Sequence, residues 1–205
     1  MAPARRGTFE RGDFLQVAAT LGLHAQKKSF LFQERRLPER QQWLAQLTTI
    51  APSRRVYLDE AGADDTLSRE YGWSWRGTRC AGQRRGHAKE RISMVAAWCQ
   101  GQVMAPWTFT GSCDAEFFEL WFQTQLLPQL QPGQVVILDN ATFHRKKVLS
   151  PMLEEVGCSL LPLPAYSPDF NPIESLWHQI KHRIRYNTNP ALDFWQKVDA
   201  AFCSL

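Results

Sequence analysis

Short runs of apolar residues, many of them β-branched, recur along the chain from residue 54 onwards. Runs of four to eight such residues, bounded by polar or turn-forming residues, indicate strands buried in a sheet. Their positions predict five strands, over residues 55–59, 92–99, 102–110, 135–139 and 158–163. Between the first two strands we expect a turn at 61–65, a ribbon over 70–79 and a basic loop over 83–91.

A second pattern, with apolar residues three and four positions apart, alternates with the later runs. This spacing places apolar side chains on one face of a helix. It predicts helices over residues 114–127, 146–156, 172–186 and 191–203. Hairpin strands followed by helices that alternate with short buried strands indicate an α/β fold, in which a mixed sheet carries helices on its faces.

The first 50 residues lack these strand signals. Apolar residues within 12–22 indicate one short helix, and a charged stretch follows it. The apolar spacing then predicts a helix over 37–50. We interpret residues 1–50 as a tail, a basic linker and a helix, and residues 51–205 as the main domain.

Composition places the chain in a broad class. Its 205 residues, 44% of them hydrophobic, suffice for one domain with a sizeable core. The net charge of +4 is compatible with a polyanionic partner. The five cysteines are well separated and form no Cys-x-x-Cys pair, which favours free thiols in a reducing cytoplasm over a zinc site or a disulfide framework. We expect neither a membrane span nor a secretion signal, since no apolar run is long enough.

Three carboxylates stand out because each follows or lies within a segment that would hold it rigidly. Asp59 and Asp139 each end an apolar run, and Glu174 lies in the first turn of a helix. Carboxylates gathered at one edge of a sheet repel one another unless cations are present, and hard divalent ions favour all-oxygen sites. Because two-metal sites stabilise both the attacking and the leaving oxygen in phosphoryl transfer, these acids favour a metal-dependent nuclease or strand transferase.

Each acid also has a simpler structural interpretation. An aspartate at a strand end is often a turn former or a helix cap. Glu174 completes a capping box, with Asn171 as the N-cap and Pro172 at the first helical position. Alternation along the first strand places Asp59 and Glu60 on opposite faces, which selects Asp59 as the inward acid.

The helix that carries Glu174 has two distinct faces. Its apolar spacing predicts a buried stripe of Ile173, Leu176, Trp177, Ile180 and Ile184. On an adjoining face the acid is followed by His178, Lys181 and Arg185. An acid at the head of a basic line suits a metal ligand that lies beside a phosphate backbone.

Three segments together are more specific than any single acid. They are Tyr57–Gly62 (YLDEAG), Val136–His144 (VILDNATFH) and Leu163–Glu174 (LPAYSPDFNPIE). Through these segments the chain, from about residue 25 to 200, resembles the DDE transposase domain of the mariner superfamily and its bacterial insertion-sequence relatives. The 34 residues between the second and third acids match the spacing of that superfamily.

The resemblance implies an RNase H-like fold, with a mixed sheet and helices on both faces, preceded by a short linker region. It also implies two Mg²⁺ or Mn²⁺ ions, cleavage of DNA, and transfer of the freed 3′-OH to target DNA. Asp59 and Asp139 would bind metal together, and Glu174 would complete the second site. Asn140 and His144 would support the metal or DNA geometry.

The resemblance also indicates partners. Basic residues of the linker and of the later clusters are the expected DNA contacts: Lys27, Lys28, Arg84, Arg85, Lys146, Lys147, His178, Lys181 and Arg185. We expect transposon-end and target DNA, a homodimer on the DNA, and a nucleoid-associated place in a bacterial cytoplasm. The helix-turn-helix modules of the family do not fit ahead of the linker, which predicts a truncated copy or the second frame of a frameshifted transposase.

Two other functions are compatible with the same residues. A generic RNase H-like nuclease would hydrolyse DNA without joining strands. An inactive remnant would bind DNA or a full-length partner, although the intact acid triad disfavours it. A recombinase with a covalent intermediate is disfavoured, because no serine or tyrosine with an adjacent base is evident.

Overall fold

A computed structural model of the chain describes residues 33–69, 71–84 and 86–203. The residues from Glu34 onwards form one compact unit. In the described part of the chain, no helix has the length and apolar character needed to cross a bilayer. Several predictions lie outside the described residues: the helix within 12–22, Lys27, Lys28 and Arg85.

Five strands form one mixed sheet in the order β3-β2-β1-β4-β5. They are β1 (Arg55–Asp64), β2 (Arg91–Cys99), β3 (Gln102–Thr110), β4 (Val135–Leu138) and β5 (Ser159–Pro162). The β1–β2 and β2–β3 pairs are antiparallel, whereas the β1–β4 and β4–β5 pairs are parallel. The hairpin between β2 and β3 turns at Gln100 and Gly101, whose positive φ values of 50° and 84° suit a tight two-residue turn.

Helices cover both faces of this sheet, as the sequence predicts. They are α1 (Leu37–Thr49), α2 (Ala115–Trp121), α3 (Lys146–Glu155), α4 (Ile173–Tyr186) and α5 (Phe194–Cys203). The helix predicted over 114–127 begins as α2 and continues as a π-helical turn and a 3₁₀ turn. Pro128 in the 3₁₀ turn has no N–H to donate, so the α-helical hydrogen bonds cannot continue there.

Two hydrophobic cores sandwich the sheet. One core joins Val56, Leu58, Val136 and Leu138 to α2 and α3. The other joins Tyr57, Ile137 and Met94 to α1, α4 and α5. Alternate residues of β1 and β4 therefore point into opposite cores, as the period of two along a strand requires. The predicted α/β class, with helices on both faces of a mixed sheet, is confirmed.

Two predictions for the segment after Asp59 are wrong. Strand β1 runs through the turn predicted at 61–65, because β2 pairs with it as far as Arg91 opposite Asp64. The ribbon predicted over 70–79 is absent, since the described residues 71–79 contain a turn but no strand. Trp73 is fully exposed there, and an isolated ribbon without a packed face is not stable.

Helix α1 is fixed to the segment before α4. Trp43 stacks on Phe170 with a centroid separation of 5.2 Å. The Arg40 guanidinium lies 3.8 Å above the same ring, donates to Ser167 Oγ at 2.6 Å and pairs with Asp169 at 2.8 Å. These contacts lie within the compact unit that begins at Glu34.

Candidate active site

The two aspartates lie at the place where the sheet narrows. Strand β4 pairs in parallel with β1, with Tyr57 opposite Ile137. Asp59 and Asp139 follow these residues by two positions each, so the shared register brings them side by side. Because β4 ends at Leu138 while β1 continues to Asp64, both carboxylates lie beside the open end of β4.

Asp59 and Asp139 line a cleft of about 400 Å³ at this end of the sheet. Glu60 and Arg91 line it as well. The Arg91 side chain crosses Gly62 so closely that a Cβ there would lie 2.6 Å from Nη2. A glycine at this position therefore allows a cationic side chain to lie along the wall of an otherwise acidic cleft.

Glu174 reaches this region from α4 and is exposed. It does not line the cleft itself, but its charge acts on Asp59. Burial is the main factor that raises the pKa of Asp59 to about 7, and repulsion from Glu60 and then Glu174 adds to it. A cation bound beside Asp59 would favour its ionised form and oppose both effects.

The capping box predicted at the start of α4 does not form. Asn171 makes no side-chain cap: its Oδ1 accepts no hydrogen bond, and its Nδ2 donates to the backbone oxygen of Leu58 at 3.4 Å. Three residues beyond Glu174, the indole Nε1 of Trp177 donates to Asp59 Oδ2 at 3.0 Å. The start of α4 is therefore attached to β1 at the first aspartate.

His144 connects β1 to the loop after β4, on the face of the sheet away from Asp59. Its Nε2 lies 2.9 Å from Glu60 Oε1, and its Nδ1 lies 3.0 Å from Asp139 Oδ1, although the second contact lacks the angle of a good hydrogen bond. The imidazole is buried and packs on Phe118 at 4.4 Å between ring centroids.

The charges around His144 set its protonation. Burial lowers the pKa of the imidazole, but Asp139 and Glu60 outweigh burial and raise it to about 9. In turn, the His144 imidazole holds the pKa of Asp139 below its usual value. With a carboxylate at each nitrogen, His144 is a buried imidazolium at neutral pH.

Two residues of this arrangement were not predicted as site residues. Alternation assigns Glu60 correctly to the face away from Asp59, yet Glu60 takes part through His144. Trp177 was predicted only as a core residue, and it is buried as expected. The available signal was its indole N–H, because a buried tryptophan N–H usually has an acceptor.

Asn140, predicted to support the site, has structural partners. Its Nδ2 donates to the backbone oxygen of Leu163 at 2.6 Å, and its Oδ1 accepts from Lys146. These bonds tie the loop after β4 to the segment after β5. Lys146 is thereby held beside Asp139, whose pKa it also lowers.

The remaining basic residues that were predicted to contact DNA are spread over several elements. Arg84, Lys147 and His178 are exposed, whereas Lys181 and Arg185 are half-buried along α4. His178, Lys181 and Arg185 follow Glu174 along one side of this helix. The helix also buries the predicted stripe of five apolar residues.

The donor set of the site fits a hard divalent ion. Asp59, Asp139 and Glu174 offer only carboxylate oxygens, which such ions favour, and repulsion from Glu60 and Glu174 adds to the effect of burial in raising the pKa of Asp59. In the described residues, no three His, Cys, Asp or Glu side chains converge closely enough to hold an ion. The three acids lie at the same end of the sheet, and their side chains would have to rotate towards one another to bind a common metal ion.

The family described as DDE superfamily endonuclease matches residues 54–193, which include all three acids. The chain belongs to this endonuclease family. The match begins at the first strand and ends just before α5.

Solved transposase structures share the fold of this DDE endonuclease. The Mos1 strand transfer complex superimposes with a TM-score of 0.66 and 16% identity, over 94% of this chain and 69% of that one. The Mos1 paired-end complex with the left transposon end gives 0.64 and 15%, over 93% and 67%. The Mos1 mariner paired-end complex with Mn gives 0.62 and 16%, over 94% and 68%. The DDE endonuclease thus has the RNase H-like fold of a transposase catalytic domain.

A search of curated proteins found no match to this DDE endonuclease.

Proposed function

We propose that this chain is the catalytic domain of a transposase, which cleaves DNA and joins the freed 3′-OH to target DNA. The observation that carries the proposal is the parallel β1–β4 register, which places Asp59 beside Asp139, with Glu174 close enough to raise the pKa of Asp59. The membership in an endonuclease family supports cleavage. The shared fold with transposases supports strand joining.

Asp59, Asp139 and Glu174 would hold two Mg²⁺ or Mn²⁺ ions. Similar structures include Mos1 complexes described with Mn and with Mg. When bound, such ions activate the attacking oxygen and stabilise the leaving oxygen of a phosphodiester. The contribution of the chain is to keep Asp139 ionised through His144 and to hold Asp59 through Trp177.

No covalent attachment of DNA to the protein is expected in this cleft. Cys113 also lines it, but burial, helped by Glu60 and Asp114, raises the pKa of its thiol to about 12. A thiol that stays protonated at neutral pH is a poor nucleophile. Water and the 3′-OH of the cut strand are therefore the proposed nucleophiles.

Transposon-end DNA and target DNA are the proposed substrates, and a homodimer on DNA is the proposed assembly. The exposed residues Arg84, Lys147 and His178 would contact phosphates, and Arg91 would lie beside the phosphate in the cleft. We place this activity at the nucleoid of a bacterial cytoplasm.

A strand-transfer assay tests the proposal. Pre-cut element ends with a 3′-OH are incubated with plasmid and Mn²⁺ or Mg²⁺, and joined products are counted beside cleavage of uncut ends. Wild-type chain should give both products, and Asp59→Ala, Asp139→Ala and Glu174→Ala should each give neither while they remain folded. Cleavage without joining under either metal would support the simple nuclease instead. Neither product from a wild-type chain that Mn²⁺ stabilises would indicate the inactive remnant.

A further inference from the structure

We propose that Trp177 and Asn171 are positioning residues that hold Asp59 in place relative to Glu174. The inference rests on the proposed function, because it concerns the same acids as metal ligands. It adds two uncharged residues that fix the geometry of the acid triad without touching the substrate.

Trp177 is the stronger of the two contacts. Its side chain is 2% exposed, and its ring packs edge-on against Phe202. A ring held in this way has no freedom to turn its N–H towards water. The indole therefore presents a fixed donor to Asp59 Oδ2 at 3.0 Å. A carboxylate has several lone pairs, so this hydrogen bond and the one from the Glu60 backbone leave acceptor positions for a metal ion.

Asn171 holds the backbone at the same point. Its side chain is buried, and Nδ2 donates to the carbonyl oxygen of Leu58, which belongs to the peptide that leads into Asp59. The segment at the start of α4 thus binds both the main chain and the carboxylate of one catalytic aspartate.

The positions of Asn171 and Trp177 on either side of Glu174 in the sequence explain how they also fix the Glu174 backbone. Asn171 precedes the N-cap of α4, Glu174 lies in its first turn, and Trp177 lies one turn further along, so Glu174 stands three residues from each of the other two. Glu174 lies between two points at which the helix is attached to β1. The attachment fixes where the Glu174 backbone starts relative to Asp59, and only its side-chain rotation remains free.

A purely structural role for Trp177 makes a different prediction. If the residue only fills the core, loss of its N–H costs some stability and leaves metal binding unchanged. If it positions Asp59, the loss weakens metal binding, because partners that orient metal ligands typically change metal affinity by about 10- to 100-fold.

Trp121 provides a matched control within the same chain. It is 3% exposed, and its Nε1 also donates at 3.0 Å, but to the backbone oxygen of Ala105 in the opposite core. Trp177→Phe and Trp121→Phe therefore make the same chemical change and each remove one hydrogen bond of the same length. The acceptor is the carboxyl group of a proposed metal ligand in the first case and a backbone carbonyl far from the acids in the second.

The experiment measures Mn²⁺ affinity of the full chain without DNA, by calorimetry or by the paramagnetic resonance of free Mn²⁺, together with melting temperature. Trp177→Phe should weaken Mn²⁺ binding by about 10- to 100-fold, whereas Trp121→Phe should bind as wild type despite a similar fall in melting temperature. Asn171→Ala is a second variant, which replaces Trp177→Phe if that protein does not fold. It should also weaken Mn²⁺ binding.

The outcomes separate the two proposals. Wild-type affinity in both Trp177→Phe and Asn171→Ala would overturn the positioning role and leave the acid site intact. An equal loss in Trp121→Phe would show that general destabilisation causes the effect, which would also overturn the positioning role. A wild-type chain that binds no Mn²⁺ would overturn the metal site itself, and the positioning role with it.

Discussion

At the scale of single residues, the least expected feature is a buried cation between two acids. His144 lies between Glu60 and Asp139, and each carboxylate favours the protonated ring. The imidazolium neutralises part of the charge that β1 and the loop after β4 bring together. It also joins the two segments that carry Asp59 and Asp139, so its protonation contributes to stability.

The raised pKa of His144 predicts a pH dependence. The imidazole has a pKa of about 9 in the folded chain against 6.5 for the free side chain. The stabilisation is therefore complete below about pH 6.5 and is lost as the pH rises through about 9. Glu60→Gln removes one of the two charges and so lowers the pKa of His144 in the folded chain; the loss should still begin near pH 6.5 but be complete at a lower pH, and the stabilisation should be smaller. Urea unfolding between pH 6 and 9.5 in EDTA, with the ring resonances of His144 followed by NMR, checks this. An unchanged His144 titration in the variant would contradict it.

Asp59 predicts a second pH effect in the metal-free chain. Its pKa is about 7 when folded against 3.8 when free, so the folded state binds the extra proton between these values. Stability should fall as the pH rises from about 4 to 7, and the full cost remains above that range. Asp59→Asn keeps an acceptor for Trp177 and carries no charge. It should melt at a higher temperature than wild type at pH 8 in EDTA, and at nearly the same temperature at pH 4. A lower melting temperature at pH 8 would contradict this.

At the scale of elements, two helices position the third acid. Helix α1 holds the segment before α4 through Arg40, Ser167 and Asp169, and the start of α4 is attached to β1. The conspicuous YSPDFNP motif is therefore a docking segment. Its serine, aspartate and phenylalanine bind α1, while its asparagine reaches the strand that carries Asp59.

Removal of Arg40 should loosen this docking. Its guanidinium is nearly buried and bonds to both Ser167 and Asp169, so Arg40→Ala should cost about 1–3 kcal/mol. At about 2–4 °C per kcal/mol for a chain of this size, the melting temperature falls measurably. Arg36→Ala is the matched control, because its pair with Glu39 is exposed on both sides and should contribute little to stability. Equal effects of the two changes, read by calorimetry, would argue against the docking role.

At the scale of the whole molecule, the proposed function requires the acid end of the sheet to accept a polyanion. The net charge of +4 favours the approach of DNA, but it cannot distinguish one base sequence from another. Binding by the basic surface residues should thus be dominated by phosphates.

Duplex binding by this chain should be steeply salt-dependent. Arg84 and Lys147 are exposed and lie outside the cleft, so Arg84→Ala with Lys147→Ala should weaken binding to all duplexes alike. The slope of log K against log salt is negative, and it should become shallower by about 1.8, since each lost phosphate contact contributes about 0.9. Fluorescence anisotropy at several salt concentrations, with element ends and scrambled duplex, measures both. A slope equal to that of wild type would show that these residues do not contact DNA.

Much of the architecture could be predicted from the sequence, because hydrophobic periodicity is a local property. Strand β3 and the buried stripe of α4 match their predictions residue for residue. The other helices and strands match within a few residues, apart from β1 and the second half of the helix after β3. Periodicity also assigned Asp59 and Glu60 to opposite faces correctly.

The sequence by itself thus determined which elements form and which acids end up near the strand ends, since both follow from spacing along the chain. Tertiary structure decided the length of β1, which continues because β2 supplies partners beyond the predicted turn. It also decided that Asn171 bonds to Leu58 instead of capping its own helix. The contacts of His144 and Trp177 with the acids join residues that are far apart in the sequence. Local propensity cannot select such partners, because they are fixed only when helices and strands pack together.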